Sequence, residues 1–199
     1  MKISKIISFI FHPIFIPTYS VFLLFMLVPY FSDFTTISQK KQIIELIIIF
    51  TLLLPILSIL ILKKIKVINS LYMDNKEERR WPLLFAVGWY YILFNLLVTI
   101  QAHYLIIRLF LGAMLILFIA IIISNFWKIS LHMLGIGGLV GVFCALNFLL
   151  GGYISLIIIL LFSAGLVGYS RINENAHNLN QIYCGFIIGF FIELAILFF

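Results

Sequence analysis

The sequence predicts an all-α protein, a polytopic transmembrane helical bundle with about six to seven spanning helices. First, 64% of the 199 residues are hydrophobic and only 10% are charged. The mean hydropathy of +1.23 is far above that of soluble domains. Second, the chain contains seven long apolar runs. Third, these runs lack the alternation of apolar and polar residues that a transmembrane barrel requires, so helices are the spanning elements.

Each apolar run is long enough to cross a bilayer, which takes about 20 residues of helix. The runs are 8–30, 42–62, 82–101, 104–123, 131–150, 153–169 and 180–199. In the first run, His12, Pro13 and Pro17 predict a kinked or interfacial start. Almost no polar stretch is longer than a loop, so we predict a single integral membrane domain over residues 1–199, in the cell (inner) membrane.

Two short polar interruptions predict which loops share a face of the membrane. Residues 101–103 and the pair Gly151-Gly152 are too short for more than tight helical hairpins. The longer loops 63–81, 124–130 and 170–180 are then separated by two crossings each, which places all three on one side. Most basic residues lie in these loops. Either the positive-inside rule or an anion-binding site explains this asymmetry, and both explanations can hold together.

The first polar cluster lies in the loop before the third run. Lys76, Arg79 and Arg80 come shortly before Pro82, and proline suits the first turn of a helix. Cations at a helix N-terminus are disfavoured by the helix dipole unless an anion or solvent compensates them. The cluster is therefore either a phosphate-binding group or a solvated basic loop.

The second cluster, Ser130 and His132, precedes the glycine-rich fifth run. Serine is a favourable N-cap, so Ser130 is predicted to begin that helix, with His132 in its first turn. Backbone N–H groups at such an end attract oxyanions, and the imidazole can transfer a proton to a leaving oxygen. An interfacial histidine beside a capping serine is the alternative interpretation.

The third cluster is the polar segment SRINENAHNLNQ between the last two runs. Arg171 follows Ser170 and can bind a phosphate through two N–H groups, and His177 can attack phosphorus through a ring nitrogen. Gln181 lies four residues after His177, so on a helix it faces the same way and can accept a hydrogen bond from the imidazole.

In their order along the chain and on one predicted face, the three clusters resemble the signature of the type-2 phosphatidic acid phosphatase superfamily, a group of membrane lipid phosphatases and haloperoxidases. The third cluster matches in Ser170, Arg171 and the five-residue gap before His177. The chain departs from the signature at Gln181, where the family has an acid, and around Ser130 and Arg80, where residues of the first two motifs differ. The resemblance covers a core of about residues 72–190 and marks this chain as a divergent member.

The resemblance implies a role for each cluster. His177 would be the nucleophile that forms a phosphohistidine, and His132 the general acid. Arg171, Arg79, Arg80 and Lys76, with Ser130 and Ser170, would bind the substrate phosphate, and Gln181 would orient His177 without supplying the negative charge of an acid. Glu174 or Asp74 could supply that charge instead.

These observations favour a hydrolase of lipid metabolism that acts on a lipid phosphate or polyprenyl diphosphate. The alternative is an inactive anionic-lipid binder or transport or assembly protein on the same scaffold. We expect a membrane lipid with a phosphate head group as partner, no nucleic acid, no cofactor and no metal, since no carboxylate and cysteine set accompanies the histidines. Gly137 with Gly141, and Gly185 with Gly189, either permit close packing that brings His132 and His177 together or are ordinary membrane-helix glycines.

Overall fold

The computed structural model describes residues 3–33, 35–69 and 76–199, and only the backbone of residues 32, 33, 76 and 77. Within these residues the secondary structure is helical, which confirms the predicted all-α class. The helices are α1 Ile3–Ile10, α2 Ile16–Leu27, α3 Pro29–Asp33, α4 Ile37–Lys64, α5 Lys76–Thr99, α6 Tyr104–Ser124, α7 Leu131–Leu150, α8 Ile154–Asn173 and α9 Leu179–Phe198. Helices α4 to α9 are long and apolar enough to cross a membrane.

The predicted first span, 8–30, is not one helix. Helix α1 ends at Ile10, α2 has 12 residues, and α3 begins at Pro29. Proline has no N–H to donate, so Pro13, Pro17 and Pro29 fit the turns and helix starts that they occupy and interrupt a continuous helix. The predicted kink near His12 is confirmed, and the six longer helices are the spanning candidates.

Prolines also shape α4 and α5. In α4, the segment Ile48–Leu53 is π-helical and lies just before Pro55, which cannot donate to the carbonyl of Thr51. Helix α5 begins at Lys76, so Pro82 lies inside it. The prediction that Pro82 occupies the first turn was wrong, because the polar residues before it already form helix.

The tight hairpins are present as predicted. Gly151 and Gly152 have φ angles of 75° and 87°, and Gln101 has a φ of 51°, so all three lie in the left-handed region that permits a sharp reversal. Helix α8, predicted to end at residue 169, continues to Asn173. Ser170 and Arg171 therefore lie in its last turn and not in a loop.

The chain forms two compact units. The first comprises the segment up to Ile16 together with Lys128–Phe199, and it holds α1, α7, α8 and α9. The second comprises Pro17–Trp127 and holds the remaining helices. The proposed phosphatase-like core, 72–190, draws on both units. The prediction of one domain stays a prediction.

Glycine packing joins α7 and α9 in the first unit. A Cβ atom at Gly185 would come within 2.9 Å of the carbonyl oxygen of Ser130. Cβ atoms at three further glycines would overlap the backbone of the facing helix, namely Gly137 and Gly141 on α7 and Gly189 on α9. The two helices thus touch backbone to backbone, as the small-residue spacing allowed. They begin at the same end, since the backbone N–H of Ser130 donates to the carbonyl of Gln181.

We predict that Gly189→Ala destabilises the protein. The added methyl group would meet the Leu134 carbonyl and the Gly138 nitrogen, and relieving such overpacking costs about 1–3 kcal/mol. Gly165→Ala in α8 is the matched control, because no atom lies within 4 Å of its added Cβ. Alanine there should leave stability unchanged or raise it by up to about 1 kcal/mol. Thermal unfolding of both detergent-solubilised variants tests this, and equal midpoints would contradict it.

Candidate functional site

The turn between α8 and α9 positions Arg171. Glu174 ends α8, and Asn175 follows in the left-handed conformation with a φ of 51°. The N–H of Ala176 donates to the carbonyl of Arg171, and that of Asn175 to Ile172, which is the hydrogen-bond pattern of a Schellman motif. Arg171 in the last turn also has a favourable interaction with the helix dipole.

His177 precedes α9 and is oriented by Gln181. Asn178 caps α9 in a capping box with Gln181, whose Oε1 accepts from the backbone N–H of Asn178 at 3.2 Å. The same oxygen lies 3.0 Å from His177 Nδ1. Because the cap fixes this atom as an acceptor, Nδ1 carries the proton and Nε2 holds the lone pair in the neutral ring. The predicted i, i+4 contact is therefore present.

Ser130 and His132 begin α7 as predicted. Ser130 is the N-cap, and its fully buried hydroxyl accepts from the backbone N–H of Met133 at 3.4 Å. His132 is half-buried, with Nε2 3.1 Å from the carbonyl oxygen of Ser8. A carbonyl only accepts, so Nε2 carries a proton and Nδ1 holds the lone pair of the neutral ring.

The Arg171 guanidinium is held on one side only. Its Nη1 donates to Ser8 Oγ at 2.9 Å and to Glu174 Oε2 at 2.7 Å. Its Nε is buried without a hydrogen-bond partner among the described residues. The Nε edge is one of the two edges by which arginine binds an oxyanion bidentately. Glu174 pairs with Arg171 and also accepts a hydrogen bond from the Ser8 hydroxyl at 3.2 Å. Asp74 lies outside the described residues.

Three residues of the N-terminal segment had no place in the predicted site. Ser4 and Ser8 are buried on α1, whereas Ile3 and Phe9 are exposed. The Ser170 hydroxyl, fully buried, donates to the Ser4 carbonyl at 2.6 Å and lies 2.6 Å from Ser8 Oγ. Four residues after Ser8, the ring of His12 packs edge to face with His132 at 5.2 Å between centroids. In the sequence, the spacing i, i+4, i+8 of Ser4, Ser8 and His12 was the pattern that could have indicated a shared polar face.

Three histidines and an arginine thus form one cluster in the first unit. Arg171, His12 and His177 all interact electrostatically with His132. Partial burial, and then the positive charge of Arg171, lower the pKa of His12 from 6.5 to about 4, although His12 keeps exposed surface. His12 is therefore neutral at pH 7 and adds no positive charge beside Arg171.

The remaining predicted site residues either belong to the second unit or use their hydroxyl groups in hydrogen bonds to the protein backbone. Arg79 is buried and Arg80 is exposed near the start of α5, while the side chain of Lys76 lies outside the described residues. Their proposed contact with the phosphate stays a prediction. The same holds for Ser130 and Ser170, whose hydroxyl groups bind neighbouring backbone in this structure.

The described part of the chain brings no three His, Cys, Asp or Glu side chains together in a way that could hold a metal ion. Comparison with known proteins gives no relative: no family model matches the chain, and neither does any curated protein or solved structure.

The lowered pKa of His12 predicts that stability decreases in mild acid. Between pH 6.5 and about 4 the unfolded chain takes up a proton on His12 that the folded protein does not, so protonation favours unfolding. The thermal midpoint should therefore fall between about pH 7.5 and about pH 5 by more in wild type than in His12→Gln, which has no group to protonate there. An equal fall in the two proteins would contradict this.

Proposed function

We propose that this chain is a membrane-embedded phosphatase that hydrolyses a lipid phosphate monoester or a polyprenyl diphosphate, with His177 as the nucleophile. The observation that carries the proposal is the hydrogen bond between His177 Nδ1 and Gln181 Oε1. This bond leaves the lone pair on Nε2, on the same turn that holds the unpaired Nε edge of Arg171. A nucleophile and a phosphate clamp on one turn support phosphoryl transfer better than either residue alone.

The proposed reaction has two steps. Arg171 binds two phosphate oxygens, His177 Nε2 attacks phosphorus, and the bond from phosphorus to the lipid oxygen breaks. That oxygen takes a proton from Nδ1 of His132, which picks up this proton from water when the anionic head group binds. Water then attacks the phosphohistidine and gives its proton back to His132, the N–P bond breaks, and inorganic phosphate leaves.

A lipid is a better substrate than a soluble phosphate ester because of the surroundings of the turn. Side chains with exposed apolar surface flank it on both helices, namely Tyr169, Ile172, Leu179 and Tyr183. These side chains would contact acyl or prenyl chains while the head group reaches Arg171. Tyrosine is typical of the interface between membrane and water, where a lipid head group lies.

A second candidate function is anionic-lipid binding without catalysis. Two observations favour it: Glu174 already neutralises much of the charge of Arg171, and Gln181 is uncharged. A glutamine orients the imidazole but cannot stabilise the positive charge that develops on it. Replacing the comparable aspartate by asparagine lowers turnover about ten-thousandfold in serine proteases, where the wrong imidazole tautomer is part of the loss.

Phosphate release from dioleoyl phosphatidate and from a polyprenyl diphosphate tests catalysis. We expect release by the purified wild type and a loss of about a thousandfold or more in His177→Asn. His103→Asn is the matched control: His103 caps α6 in the second unit, and asparagine is also a good cap. Gln181→Glu keeps the side-chain length and adds the missing charge, so it should raise turnover about tenfold or more. Wild type that releases no more phosphate than His177→Asn would rule out catalysis on these lipids.

Binding of phosphatidate should respond to Glu174. Glu174→Gln removes the carboxylate that competes with phosphate for Arg171, so we expect about tenfold tighter binding to dioleoyl phosphatidate in nanodiscs. Glu45→Gln is the control, because Glu45 forms an exposed pair with Lys41 on α4. Unchanged or weaker binding by Glu174→Gln would show that Arg171 is not the phosphate contact, in an enzyme or in a binding protein.

A further inference from the structure

We infer that α1 is part of the candidate site and that Ser8 is a positioning residue for both Arg171 and His132. The inference rests on the proposed phosphate contact of Arg171. Among the described residues, Ser8 forms hydrogen bonds with both side chains. It reaches Arg171 through its hydroxyl and His132 through its carbonyl, so one residue sets the direction of the clamp and of the proton donor.

The hydroxyl groups form a directed hydrogen-bond chain. Ser170 donates its proton to the Ser4 carbonyl, so in the 2.6 Å contact between the two serine hydroxyls Ser8 is the donor. Arg171 Nη1 has only protons to give, so Ser8 Oγ accepts from it. The chain runs from Arg171 through Ser8 and Ser170 to Ser4, and Glu174 Oε1, 3.2 Å from Ser8 Oγ, is a more distant second acceptor for the Ser8 proton.

This chain determines which edge of Arg171 keeps no hydrogen-bond partner among the described residues. Ser8 and Glu174 take the two protons of Nη1. The guanidinium is planar and rigid, so fixing Nη1 also fixes the direction of the Nε edge. Without the Ser8 hydroxyl, Glu174 alone would hold the group, and Arg171 could rotate about that single contact. Preorganisation of the clamp is the expected contribution of Ser8.

The carbonyl of Ser8 acts on His132 in a separate way. Ser8 lies near the end of α1, where carbonyl groups have no helical N–H partner, and the N–H of His12 donates to Phe9 instead. His132 Nε2 fills this position and caps α1. The contact leaves Nδ1 on the opposite side of the His132 ring, and the rings of His12 and His132 pack edge to face.

Binding measurements on the full-length protein in nanodiscs test the role of the Ser8 hydroxyl. We expect Ser8→Ala to bind dioleoyl phosphatidate about tenfold more weakly than wild type, a change of about 1.4 kcal/mol. Ser8→Thr keeps the hydroxyl and should bind within about twofold of wild type. The control is Ser163→Ala in the same helix as Arg171, because Ser163 bonds only to the carbonyl of Ile159 in its own helix. Orthophosphate as a second ligand shows whether the phosphate group alone produces the effect or the lipid is needed.

Each outcome has a defined meaning. Weaker binding by Ser8→Ala that Ser8→Thr restores supports positioning, because a hydroxyl needed only for folding would lower the folded fraction and leave the dissociation constant of folded protein unchanged. Equal dissociation constants for wild type and Ser8→Ala, or no binding of either ligand by wild type, overturn the inference. Should Ser8→Ala not fold, Ser8→Cys provides a weaker acceptor and should bind between wild type and no binding. Phosphate release is measured separately, so a protein that binds through Ser8 and releases nothing refutes catalysis alone.

Discussion

The contact between α7 and α9 determines where His132 and His177 lie relative to each other. Gly189 rests against the carbonyl of Leu134, and Gly185 against that of Ser130, so no side chain separates the two backbones at these levels. Because the helices are parallel and their first turns are joined by the Ser130–Gln181 backbone bond, His132 and His177 start from the same level. Close glycine packing along α7 and α9 thus fixes the distance between their first turns, where His132 and His177 lie.

Arg171 imposes a second requirement, because a charge at the end of an apolar bundle must be compensated. Glu174 neutralises it from the same helix turn, and Ser8 satisfies one of its protons from α1. These contacts account for only one nitrogen of the guanidinium. A buried polar group without a hydrogen-bond partner costs about 1–3 kcal/mol, so the unpaired Nε lowers the stability of the folded protein. An oxyanion bound at that edge, as proposed, would remove this cost.

Local features of the chain were predictable from the sequence. Ser130 as a cap, the i, i+4 contact of Gln181 with His177 and the hairpin at Gly151 all depend on residues within a few positions of one another. The interruption of the first run by prolines was predicted. Pro82 was assigned to the wrong position, because the polar first turn of its helix resembles a loop in the sequence. Likewise α8 runs on to Asn173, and its stop signal is Asn175 in the left-handed conformation.

The contribution of α1 could not be predicted in the same way. Ser4 and Ser8 meet partners that lie 124 to 166 residues away along the chain, and no local pattern specifies such pairings. Two serines in an apolar helix are common in membrane proteins, and only their burial beside exposed Ile3 and Phe9 distinguishes them. The role of His12 was equally hard to predict, because a histidine next to proline is typical of a helix end and does not by itself indicate a site.

Gln181 shows how far geometry can replace charge. Its Oε1 accepts two N–H groups, one from the Asn178 backbone and one from His177, so the same atom caps α9 and orients the imidazole. A carboxylate would do both and would also stabilise the positive charge that His177 acquires on bonding to phosphorus. Orientation is therefore complete in this chain while electrostatic stabilisation is not. In the proposed reaction, formation of the phosphohistidine then becomes the slow step, and binding of the phosphate does not depend on Gln181.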